Sequence, residues 1–142
     1  MYETEQEAIY RDFAHAPSKV RATLNGLKAH FPDRRLLAIL ELHTYSSLTR
    51  AFLPAYQGAI GAADQAAVFI NPEALTAKGA DRPEAEEIRE AFGHPSEMHV
   101  FFNQEELLAY TEQLDWTGAN VVLMSSGTFQ GEDLANRLMR QA

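Results

Sequence analysis

Short β-rich runs, several of them apolar almost throughout, alternate along this chain with stretches whose apolar residues recur at helical spacing, and this constrains the fold more than any single motif. The runs fall at Ala8–Phe13, Leu36–Leu42, Ala66–Ile70, His99–Phe102 and Asn120–Met124. Segments such as LLAIL and NVVLM lack the polar alternation of a strand with one wet face, so they predict strands covered on both sides. Between them, Val20, Leu24, Leu27 and Phe31 form one stripe over Pro17–Phe31. Leu48, Phe52, Tyr56 and Ile60 do the same over Ser47–Ala62, as do Ala85, Ile88 and Phe92 over Pro83–Phe92. Gln104–Trp116 and Glu132–Arg140 complete the predicted helices. Pro17 and Pro83 suit a first helical turn, and Gly93 suits a helix end. The alternation predicts an α/β fold: a single Rossmann-like domain, 1–142, with a mostly parallel sheet of five to six strands and helices on both faces. The longest irregular segment is Asn71–Arg82.

A chain of 142 residues is one domain's worth. It contains no cysteine, which excludes disulfides, thiolate catalysis and cysteine-ligated zinc or iron–sulfur sites, and fits a reducing compartment. No apolar run approaches the roughly 18 residues of a spanning helix. The N-terminus, MYETEQEAIY, is acidic where a secretory signal would be basic. The expectation is a soluble, cytoplasmic protein without a membrane partner. A net charge of −8 also argues against nucleic acid as a partner. Residues 1–71 balance seven Lys/Arg against seven Asp/Glu, whereas residues 72–142 set five against thirteen. If an anionic ligand docks, the first half is the expected host, although acidic helices usually serve simply as solvated faces.

Folds of this kind bind ligands beyond the carboxyl ends of their strands, and three strand-end turns carry chemistry. In DFAHAP, Asp12 and His15 flank a helix start, where a carboxylate can accept from ribose hydroxyls and an imidazole can stack or donate. The same two residues also suit local capping of the turn. ELHTYSS, Glu41 to Ser47, packs a carboxylate, an imidazole and several hydroxyls ahead of a helix. It fits either a polar ligand or a Ser/Thr-rich cap. MSSGTFQGEDL, Met124 to Leu134, has glycines that allow close backbone approach, a common pattern in strand–helix turns. No Gly-Lys-Ser/Thr, Gly-x-Ser-x-Gly or GxGxxG occurs. His30, His94 and His99 lack metal-ligand spacing, and no metal site is expected. Trp116, Tyr110 and Leu107 read as packing residues.

Taken together, the three motifs resemble the C-terminal domain of the Mur ligases, ATP-dependent enzymes of peptidoglycan synthesis. The stretch IYRDFAHAPSKVRATLNGLKAHFPDRRLLAILELHT is similar to the opening of that domain, whose Asp-aromatic-Ala/Gly-His-x-Pro element reads here Asp12, Phe13, Ala14, His15, Pro17. The closing MSSGTFQG resembles its last strand and turn. Ligases adding L-alanine to UDP-N-acetylmuramate tend to carry Pro-His-Arg-x-Thr-Arg where this chain has Leu42 to Ser47. The pattern here looks more like the murein peptide ligase branch, which joins recycled L-alanyl-γ-D-glutamyl-meso-diaminopimelate to UDP-N-acetylmuramate. It departs from that branch at His43, where arginine is usual, and at Ala16, where a second histidine is usual.

The resemblance implies a domain that closes over ATP and presents the amine while the muramyl carboxylate, activated as an acyl phosphate, is converted to an amide. It assigns Asp12 and His15 to the nucleotide, and His43, Thr44, Ser46, Ser47, Ser125, Ser126 and Phe129 to the amino-acid or peptide substrate. ATP and Mg2+ would serve the full-length enzyme, with neither bound by this domain alone. UDP-N-acetylmuramate, an amino acid or peptide, and the central ATPase domain of the same chain are the implied partners. The UDP-sugar and ATPase domains are not in this sequence, so no catalytic residue is expected within it and the isolated chain is expected to be inactive. Two alternatives stay open: a UDP-N-acetylmuramate–L-alanine ligase domain, and a stand-alone, non-catalytic α/β binding module.

Overall fold

The computed structural model describes residues 2–3, 7–14, 16–42, 52–72, 83–93, 95, 97–125, 129 and 133–140. The strands are β1 (Tyr2–Glu3), β2 (Ala8–Asp12), β3 (Arg35–Leu42), β4 (Gln65–Ile70), β5 (Met98–Phe101) and β6 (Ala119–Met124). The α-helices are α1 (Pro17–His30), α2 (Ala85–Ala91), α3 (Gln104–Gln113) and α4 (Leu134–Met139), and a short 3-10 helix covers Leu53–Tyr56. All six strands form one sheet in the order β1-β2-β6-β3-β4-β5. Only β1 is antiparallel, pairing Tyr2 with Ile9; the pairs β2–β6, β6–β3, β3–β4 and β4–β5 are parallel. Asp12 lies opposite Met124, Met124 opposite Leu40, and Leu42 opposite Ile70, so these strands end at one edge.

Every residue of β6, and every residue of β3 after Arg35, is buried, as expected of a sheet covered on both faces. Alternate side chains feed two cores. On one face Leu36, Ala38, Leu40, Val68 and Val122 meet Val20 and Leu24 of α1, Leu53 and Tyr56 of the 3-10 helix, and Ile88 of α2. On the other, Leu37, Ile39, Phe69 and Val121 meet Leu107 of α3, Trp116, and Leu134 and Leu138 of α4. None of the helices in the described residues is long and apolar enough to cross a membrane.

The helix starts follow local chemistry. Pro17 opens α1, where a missing N–H costs nothing. Glu84 and Glu87 form a capping box on α2, so Pro83 stands ahead of the helix and not in its first turn. The Asn103 and Asp133 side chains accept from the amides of Glu106 and Asn136 to cap α3 and α4.

The helix expected over Ser47–Ala62 is not continuous. Residues 52–62 form the 3-10 helix and a series of turns. Pro54 has no N–H to give, and Gly58 takes a positive φ of 75°. Gly58 donates its N–H to Phe92 O at 3.3 Å. Gly93, at φ 87°, sits against it: a Cβ there would lie 3.6 Å from Gly58 N. Tyr56 and Ile60 of the expected stripe are still buried, with Tyr56 stacked on Phe92 at 4.9 Å; Leu48 lies outside the described residues.

Candidate functional site at the carboxyl edge of the sheet

At the end of β2, Asp12 Oδ1 accepts from the Ala14 amide at 2.7 Å and Oδ2 accepts from the Thr23 hydroxyl on α1 at 3.1 Å. The capping use of this carboxylate is therefore realised. A carboxylate offers about four acceptor positions, and Asp12 is only half-buried, so it retains room for an external donor. Phe13, next in sequence, is 83% exposed. The Asp12 carbonyl accepts from the Ser125 amide at 3.0 Å, tying the end of β2 to the end of β6.

Ser125 also reaches the neighbouring strand. Its hydroxyl donates to Glu41 Oε1 at 2.5 Å. The Phe129 amide donates to the same oxygen at 3.0 Å, and Asn71 Nδ2 donates to Oε2 at 2.9 Å. Glu41 is 0% exposed, and Asn71 and Ser125 are buried with it. Thus β2, β6, β3 and the residue after β4 are joined at their carboxyl ends by one chain of hydrogen bonds. Phe129 takes a left-handed φ of 51°, unusual for an aromatic residue. Its carbonyl accepts from Gln104 Nε2 at 3.1 Å, and its ring is buried in the core that holds Leu134 and Leu138.

On the flank of this edge, Arg11 of β2 reaches Asp133, the cap of α4, at 2.6 Å. The Asn136 amide, helped by Arg11 and Arg140, holds the Asp133 carboxyl below the usual aspartate value. A cavity of about 300 Å³ lined by Gln57, Gly58, Phe92, Gly93, Pro95 and Glu97 lies elsewhere, near Ala66 at the start of β4. Among the described residues no three His, Cys, Asp or Glu side chains gather as a metal site would require.

Of the residues singled out in the sequence, Asp12, Ser125 and Phe129 come together on this edge: Ser125 bonds Asp12 directly and is linked to Phe129 through Glu41. The Phe129 ring packs inward, so what Phe129 contributes at the edge is its backbone. His15, His43, Thr44, Ser46, Ser47 and Ser126 lie outside the described residues. The ELHTYSS motif counts the Glu41 carboxylate among its polar groups, but the sequence assigned no role to Glu41 itself or to Asn71. Glu41 sits inside a run that reads as strand, on the same face as Leu37 and Ile39. Its place in ELHTYSS and a carboxylate in a strand covered on both sides were the available signals. Its partners lie 30 and 84 residues away, so no spacing rule could supply them.

A doubly wound parallel α/β domain with its polar groups gathered beyond the carboxyl ends of the strands is the class that this fold and site define. Within that class the chain belongs to the Mur ligase, glutamate ligase domain family, the C-terminal domain of these enzymes, which it matches over residues 1–127. A UDP-N-acetylmuramate–L-alanine ligase of Lactobacillus delbrueckii subsp. bulgaricus is 32% identical over 128 residues, covering 89% of this chain and 27% of that protein. The corresponding ligase of Pediococcus pentosaceus is 28% identical over 82% of the chain and 25% of its own length. The chain thus spans about a quarter of these two relatives. A murein peptide ligase from Psychrobacter arcticus superposes with a TM-score of 0.69 at 23% identity, over 95% of this chain and 27% of that one. A UDP-N-acetylmuramate–alanine ligase from Thermotoga maritima gives 0.65 at 16% identity, over 99% and 28%. The last two likenesses speak to the fold.

Proposed function

We propose that this chain is the closing, substrate-presenting domain of a cytoplasmic ATP-dependent ligase that joins an amino acid or peptide to UDP-N-acetylmuramate. The observation that carries the reading is the tie at Ser125, which joins the strand end bearing Asp12 to the strand end bearing Glu41. In a two-substrate ligase the nucleotide side and the amine side must be held in fixed register, because misplacement of about 1 Å can cost on the order of 100-fold in rate. Asp12, half-buried and with acceptor capacity to spare, suits the ribose hydroxyls of a nucleotide, with His15 beside it in sequence. Ser125, Ser126 and the 43–47 segment, with His43, Thr44, Ser46 and Ser47, would face the amine substrate, and Phe129 would shape that side through its backbone. Magnesium would be held by the ATPase domain. The reaction is amide formation: the amine attacks the activated muramyl carbonyl carbon, the bond to phosphate breaks, and the amine loses a proton.

The motif ELHTYSS and the ending MSSGTFQG favour the recycled tripeptide as the amine. The relatives named as L-alanine ligases favour a second reading, in which the amine is L-alanine. Joined in its own reading frame to the UDP-sugar and ATPase domains, the chain should support phosphate release only when ATP, UDP-N-acetylmuramate and an amine are all present. Faster turnover with the tripeptide supports the first reading and faster turnover with L-alanine the second. A cooperatively folded assembly that turns over with neither overturns both.

A further inference from the structure

We propose that Glu41 is the positioning residue of this edge: its buried carboxylate takes three donors and thereby fixes the backbone at Ser125 and Phe129 against the ends of β3 and β4. The inference rests on the reading above for what the edge does, but not for the positioning itself. A carboxylate with no solvent exposure is expensive to bury unless its oxygens are satisfied. Here Oε1 accepts from both Ser125 Oγ and Phe129 N, and Oε2 accepts from Asn71 Nδ2. Both oxygens thus have partners, and the Phe129 N–H among them can only donate.

A position needed only for packing would be filled more cheaply by a hydrophobe like Leu37 and Ile39 on the same face. What a hydrophobe could not do is hold the Phe129 amide. That residue is left-handed, a conformation that persists for a bulky side chain only when its surroundings over-determine it. Glu41 on its N–H, Gln104 on its carbonyl and the core around its ring do so together. Through Ser125 the same carboxylate reaches the Asp12 carbonyl, so one side chain sets the spacing of the two sides of the site.

Glu41→Leu removes the acceptor and keeps the bulk. Glu41→Gln keeps an oxygen that can accept from Ser125 and Phe129. Amide hydrogen exchange on the chain should show Phe129 exchanging roughly 10- to 100-fold faster in Glu41→Leu, as loss of a buried hydrogen bond implies. Val122 and Ala38 in mid-sheet should keep their rates, and Glu41→Gln should restore Phe129 to within about threefold. Ser125→Ala, a milder change, should speed Phe129 exchange a few-fold and supplies the comparison if Glu41→Leu does not fold. Unchanged Phe129 exchange in Glu41→Leu, or in Ser125→Ala should that variant alone fold, overturns the proposal. So does a rise shared equally by Val122 and Ala38, which would mean general loosening. In the assembled ligase, Glu41→Leu should raise the amine KM and Glu41→Gln should rescue it. An unchanged KM alongside accelerated Phe129 exchange would leave the positioning standing and count against the substrate assignment of this edge.

Discussion

Asp12 serves the turn that it begins and, on the proposed reading, a ligand beyond it, and substitution can separate the two. Asp12→Ala gives up both the Ala14 amide and the Thr23 hydroxyl, which should cost about 1–2 kcal/mol and several degrees of melting temperature. Asp12→Asn keeps an acceptor for Ala14, and the Thr23 hydroxyl can rotate to accept, so its melting temperature should stay within about 3 °C of the parent. In the assembled ligase the Asn variant should nevertheless lose on the order of 100-fold in turnover. If it melts early and its folded fraction turns over normally, Asp12 is a cap alone. Thr23, two turns into α1, is as invisible to motif reasoning as Asn71 is: each gives its side-chain hydrogen to a carboxylate on another element, which no local pattern announces.

Among the elements, α1 is the one whose face was plainest in the sequence. Val20 and Leu24 are fully buried, and truncating Leu24→Ala should cost about 2–5 kcal/mol, measurable by denaturant unfolding. Unlike changes at Asp12, it should leave activity per folded molecule in place. The same helix is pinned near its end by Asp64, which accepts from Lys28 at 2.9 Å and from the Leu36 amide at 2.7 Å. Burial opposes the charged form of Asp64, but those two bonds and the charges of Lys28 and Arg35 outweigh it and hold the carboxyl below its ordinary 3.8. A carboxyl lowered on folding adds stability that is fully present above its unfolded value and lost as pH falls through the folded one. Asp64→Asn should therefore flatten the acid limb of the stability curve below about pH 4 and leave the neutral region with little further pH dependence from this site; an unaltered limb would contradict it.

The strands covered on both faces were legible because burial leaves LLAIL and NVVLM no polar alternation. The helix over 47–62 was misread because period alone ignores Pro54 and the left-handed Gly58, and buried Tyr56 and Ile60 satisfy a helical stripe equally well from turns. The two-residue β1 is too short to carry a pattern. At the site, the strand ends were legible as places and Glu41 as one polar group of ELHTYSS, but its joining role was not, because its partners are distant along the chain.

For the molecule as a whole, the two cores and the single sheet predict cooperative folding of the chain by itself. A clean preparation should release no phosphate from ATP, since no Gly-Lys-Ser/Thr is present to cradle it; release above background would overturn that. The strand order also has a consequence for biosynthesis. β6, last of the strands in sequence, lies between β2 and β3, and it is the parallel partner of both. While residues 119–124 are still inside the ribosome, β3, β4 and β5 can pair with one another, but β2 has only the two residues of β1 beside it. β2 must wait until residues 119–124 have emerged, and with it Asp12 and its turn. Slowed translation just before residues 119–124 would prolong the time β3 presents an open edge, the state in which sheets associate with strangers.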